Sequence, residues 1–220
     1  MQQRPVIWLK ISGVCGILAP LVAFTSVSLS ILSAPQFTLT NNALSNLGII
    51  PGATSAIFNY GLITSGILGL IFSASIYRAV HFYEIHSAIG KSRLINRALG
   101  GVLFFPGACF ALIAIGIFPQ TNWLHNIAAV AFFVFSICVL GNFTVGFWQV
   151  NQRSLAWFTF ILSVIFVVPW LLLLVPYVSG LALPELISAL AISLWMAVFG
   201  YKIIKIESRP ESPSLSENNT

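Results

Sequence analysis

Six apolar runs, at about residues 11–33, 55–77, 98–118, 125–148, 154–177 and 185–206, divide this chain, and all ten basic residues cluster at alternate junctions between them. Arg4 and Lys10 precede the first run. Arg78, Lys91, Arg93 and Arg97 lie between the second and third, Arg153 between the fourth and fifth, and Lys202, Lys205 and Arg209 at the end of the sixth. The other junctions carry no basic residue. About 20 apolar residues cross a hydrocarbon core as a helix. Only helices and closed barrels can do so, because no water is present there to satisfy the backbone. Cationic loops are retained in the cytoplasm. The pattern therefore predicts an all-α polytopic membrane bundle of six transmembrane helices with both termini cytoplasmic.

Composition excludes the alternatives. Only 7% of residues are charged against 58% hydrophobic, where a soluble domain carries about 25% charge. The net charge of +5 comes from short clusters at span ends, which suits anionic headgroups rather than nucleic acid, since no basic face interleaved with aromatics exists. Cys15, Cys109 and Cys138 fall singly inside apolar runs and read as small buried hydrophobes. The first run is about 22 residues, longer than the 7–15-residue core of a secretory signal, and is read as a retained span. Residues 1–206 form one six-span domain. The tail 207–220, rich in Ser, Pro, Glu and Asn, has little to bury and is expected to be disordered.

The stretch Asn41-Asn42-Ala43-Leu44-Ser45-Asn46-Leu47-Gly48 is polar but uncharged, and it turns through Pro51-Gly52 into the second span. That span carries Asn59 and the small residues Gly61, Ser65, Gly69 and Ser73. At every fourth position they form a smooth stripe about 18 Å long on a helix, against which a neighbouring helix can approach closely. Trp8, Trp148 and Trp157 sit near one interface and Trp123 near the other, as an aromatic belt requires. Pro106 should kink the third span, while Pro169 and Pro176 bend or end the fifth.

These motifs resemble a family. The loop Asn41–Gly48, then Phe58-Asn59-Tyr60-Gly61-Leu62, then Gly116-Ile117-Phe118-Pro119 followed by His125, stand in the order and span positions of the membrane family called domain of unknown function 998. The resemblance covers residues 13–202 and implies a six-helix membrane protein without established chemistry. Two departures stand out. Asn46 occupies the place of the family's usual loop acid, and the Asp often found after Phe-Pro is missing from Gln120-Thr121-Asn122.

The candidate ligand-binding residues are Asn42, Ser45, Asn46, Asn59, His125 and Glu185, which the topology brings to one face together with Gln120, Asn122 and Asn126. His125 is of the residue type that most often serves as general acid or base; the plainer reading is an interfacial side chain donating to a loop carbonyl. Glu185 can orient His125 or hold a cation, or simply favour its own helix N-terminus. An amide as deep as Asn59 either marks a cavity or joins helices. Ser45, His125 and Glu185 form only a weak nucleophilic constellation, so catalytic residues are not assigned. His81, Glu84 and His86 lack the i, i+4 pairing of metal ligands. With three His and no Asp in the chain, neither a metal nor another cofactor is expected. The reading is a multi-pass protein of the plasma membrane whose external polar site binds a lipid headgroup or small amphiphile. The alternative is a structural or assembly subunit with a membrane-protein partner or a second copy. A small transporter fits less well, for want of paired broken helices.

Overall fold

The computed structural model describes residues 4–86, 91–171, 173 and 180–207. Six long helices follow one another: α1 Arg4–Leu32, α2 Ala53–His86, α3 Lys91–Ile117, α4 Trp123–Gln149, α5 Arg153–Leu171 and α6 Ala182–Glu207. A short 3₁₀ helix, Leu44–Ile49, lies between α1 and α2, and no strand occurs among the described residues. Five helices are long and apolar enough to cross a membrane, and α3 adds the shorter apolar stretch Gly101–Ile117. The protein is an all-helical polytopic membrane bundle.

Local chemistry sets the ends. Asn122 caps α4 by accepting from the Leu124 N–H at 3.0 Å, which satisfies one of the donors a helix start leaves free. Gly52 takes φ +98° ahead of α2, a conformation that glycine adopts without steric cost. Asn151 takes φ 58° in the α4–α5 turn, where asparagine is among the few side chains tolerated. Helical backbone in α2 continues to His86 and resumes at Lys91, so most of the basic connection expected between spans is helix. His81, Glu84 and His86 stand on α2 with side chains outside the described ones. The expected end of the fifth span with Pro176, and the tail 208–220, also fall outside the described residues.

Each helix packs on its sequence neighbours and α1 closes on α6, so the six make a ring, which α6 crosses to touch α2 and α4. Backbones meet at α1–α6: a Cβ on Gly200 would stand 2.6 Å from the Gly13 carbonyl oxygen, and one on Gly13 would stand 2.9 Å from that of Gly200. The stripe on α2 divides. Gly61 admits Ser26 of α1, and Ser65 donates to the Ala19 carbonyl at 2.8 Å. Gly69, however, faces the Cys109 thiol of α3. Residues four apart advance by about 40° around a helix of 3.6 residues per turn, so the stripe turns from one neighbour to the next. Ser73 donates back to Leu70 O at 2.7 Å within α2.

The half of the bundle away from the 3₁₀ helix is filled by rings. Trp195 lies 4.5 Å from Phe199 and 4.9 Å from Phe143 between centroids, and Phe72 meets Phe105 edge-on at 5.8 Å. Phe72 and Trp195 are wholly buried. The three cysteines are free thiols.

Candidate functional site

The segment between α1 and α2 is a roof over one end of the ring, held by its own amides. Asn42 Oδ1 accepts from the Thr38 N–H at 2.9 Å. Asn46 Oδ1 accepts from the Ala43 N–H at 2.7 Å, while its Nδ2 donates to Gln120 Oε1 at 2.9 Å. Asn59 Nδ2 donates to the Gly48 carbonyl at 3.1 Å. The Ala182 N–H donates to Asn42 O at 2.8 Å, and Ser30 and Ser33 tie the end of α1 to Thr54. Leu44 and Leu47 point inward and are buried. Asn46 and Gln120, 74 residues apart, are thus joined by one hydrogen bond.

Under this roof lies a cavity of about 120 Å³, walled by α1, α2, α3, α4 and α6. Phe24, Phe58, Leu62, Leu112, Phe132 and Leu186 give it a largely apolar lining. Three of the candidate residues border it where roof and helices join: Ser45, His125 and Glu185. His125, 3% exposed in the first turn of α4, places Nδ1 at 2.9 Å from Phe118 O. A carbonyl only accepts, so Nδ1 carries a proton, and Nε2 is the ring nitrogen left for another partner. Glu185 Oε2 accepts from the Leu44 N–H at 2.6 Å. Ser45 makes no side-chain hydrogen bond among the described residues.

The six candidates therefore separate. Ser45, His125 and Glu185 come together at the cavity, whereas Asn42, Asn46 and Asn59 are engaged in the roof and do not line it. Glu185 belongs to both, since its carboxylate pins Leu44 as it borders the space beneath. Asn122 serves as a helix cap, and Asn142 donates to Cys138 O at 2.7 Å on its own helix.

Sequence reasoning missed the mid-span wall, including Ser136 and Ser193. A serine inside an apolar run gives no sign of which way it points. Among the described residues no three His, Cys, Asp or Glu side chains gather where one ion could be held. The arrangement can exchange hydrogen bonds with a polar group at its upper end and bury an apolar one below.

A family model described as protein of unknown function (DUF998) matches residues 17–202. No curated protein and no solved structure matches the chain.

Proposed function

This chain belongs to the DUF998 family of proteins of unknown function, and we propose that this member binds a small amphiphile in the cavity beneath the roof. The observation that supports the reading is the joining of two chemistries in one space: Ser45, His125 and Glu185 at its upper end, and an apolar wall below. Small-molecule sites are usually of this kind, mostly apolar with a few placed polar groups. His125 Nε2 and the Glu185 carboxyl can each exchange a hydrogen bond with a head that both donates and accepts, such as a hydroxyl or an amide. An apolar cavity of about 150 Å³ holds benzene, so the present space, about 120 Å³, suits a small amphiphile of about five heavy atoms.

We place the roof on the external side of the plasma membrane, with both termini in the cytoplasm. The grounds are the basic residues, which gather at the opposite ends of the helices. A reporter fused after Thr220 is expected to be cytoplasmic and one inserted at Gly52 external; an external carboxyl-terminal reporter overturns that orientation.

One observation favours a second reading, an assembly subunit: the amides of the roof satisfy one another, as a purely structural cap would. Thermal unfolding in lipid nanodiscs separates the two. Butanol is expected to raise the midpoint of the parent and to leave Ala189→Phe unmoved, because Ala189 lines the cavity and a ring there fills it. Absence of any shift in the parent, with a protein partner retained at fixed stoichiometry, decides for the assembly subunit.

A further inference from the structure

The end of the bundle opposite the roof carries an outward surface that the cavity does not use. On α5, Arg153, Trp157, Phe160 and Val164 are all exposed. At 100° per residue they fall within about 40° of one another, and from Arg153 they descend by about 6, 10.5 and 16.5 Å at 1.5 Å rise. One face of the helix thus presents, in order of depth, a cation, an amphipathic ring, an apolar ring and an aliphatic side chain. None of the four lines the cavity, to which α5 contributes no residue.

A second tryptophan joins this face from α4. Trp148, in the last turn of that helix, meets Trp157 with centroids 5.1 Å apart and planes at 67°, and Trp157 meets Phe160 edge-on at 5.7 Å. Trp195 in the core is wholly covered, whereas Trp148 and Trp157 are 46% and 52% exposed. Neither of their indole N–H groups has a hydrogen-bond partner among the described residues, unlike Trp170, whose Nε1 donates to Ser188 Oγ at 2.7 Å. Beside the pair, Arg153 Nε donates to Asn151 Oδ1 at 3.2 Å, which orients the guanidinium against the turn. No carboxylate pairs with Arg153 among the described residues, and the chain has no acid between Glu84 and Glu185.

We infer that this face docks one anionic phospholipid, its phosphate on the Arg153 guanidinium, its glycerol esters at the Trp148–Trp157 pair and an acyl chain along Phe160 and Val164. Charge complementarity selects the occupant. A guanidinium matches phosphate oxygens with paired N–H donors, and indole rings settle at the headgroup level with a donor to offer. A cation with no acid beside it favours a lipid whose headgroup carries no cation of its own. On the orientation proposed for the chain, the lipid belongs to the cytoplasmic leaflet, where anionic headgroups attract basic residues. The inference is independent of what fills the cavity.

The test is native mass spectrometry of the protein released from nanodiscs of mixed phosphatidylcholine and phosphatidylglycerol. The parent is expected to retain one phosphatidylglycerol in preference to phosphatidylcholine. Arg153→Gln should weaken that retention about fivefold, the value of one basic residue at an anionic membrane surface, and Trp157→Leu should weaken it as well. Lys10→Gln and Trp8→Leu are the matched controls and should leave it unchanged, since they alter a cation and a ring exposed on α1. All four side chains are exposed, so the variants are expected to fold as the parent does. Ala189→Phe, which fills the cavity, should retain the lipid as the parent does; a loss there would move the lipid to the cavity and overturn the inference. Equal losses from Lys10→Gln and Arg153→Gln would reduce the effect to diffuse attraction and overturn it too. So would a Trp157→Leu protein that holds the lipid like the parent, or a parent with no preference between the two lipids.

Discussion

The two halves of the bundle solve the same packing problem in opposite ways. Away from the roof, Phe143, Phe147, Trp195 and Phe199 interlock ring on ring. Under the roof the same helices stand round a cavity. In a bilayer the lipid tails are as apolar as leucine, so helices are held by close packing rather than by escape from water. A half that forgoes packing has to be held by something else. Here that is the hydrogen-bonded roof, which ties α1, α2 and α6 together above the space. The hollow half is thus supported by polar bonds and the filled half by contact, and substitutions should affect the two differently.

The largest effect should come from the filled half. Phe143→Ala removes a ring that is 4% exposed and touches three others. The expected loss is about 3–5 kcal/mol, read as a fall in unfolding midpoint with no change in butanol binding at temperatures where the fold survives. A loss comparable to that of an exposed residue would remove the contrast between the halves.

Glu185→Ala comes next. It leaves the buried Leu44 N–H without its 2.6 Å acceptor, and a buried donor left unsatisfied costs about 1–3 kcal/mol. Both the midpoint and alcohol binding should fall, because this side chain serves roof and cavity together. Asn46→Ala tests the roof alone. It strips an acceptor from Ala43 and a donor from Gln120, at a cost of about 1–3 kcal/mol, with ligand affinity in the surviving protein unchanged.

The smallest effect on the fold, and the sharpest on binding, belongs to His125→Asn. An Asn amide can still donate to Phe118 O in place of Nδ1 but has nothing where Nε2 was. The midpoint should move by less than about 1 kcal/mol while alcohol binding weakens several-fold. His125→Ala is a poorer probe, because the buried imidazole holds a loop carbonyl that alanine would abandon. A His125→Asn protein that binds as the parent does would take the ring out of the site.

Much of this was legible in the chain. Spans and their number follow from run length and the placement of Arg and Lys, because hydrocarbon forces each segment to satisfy its backbone within itself. The polar residues at one end were also legible, since their order along alternate spans gathers them on one face. Which of them hold the roof and which border the cavity was not. Asn46 and Ser45 are adjacent in sequence, yet one bonds Gln120 and the other borders an open space. That separation depends on partners 74 residues away, as for Asn46 and Gln120, or 141 away, as for Leu44 and Glu185. The stripe on α2 teaches the same lesson: its spacing was plain, but 40° of drift per step handed Gly69 to a different neighbour. The sequence by itself determined a six-helix membrane bundle with a polar roof, because solvent chemistry acts on each segment separately. Only the tertiary structure decided that the bundle is hollow beneath that roof and filled below it, because a cavity is a relation among five helices and no one of them encodes it.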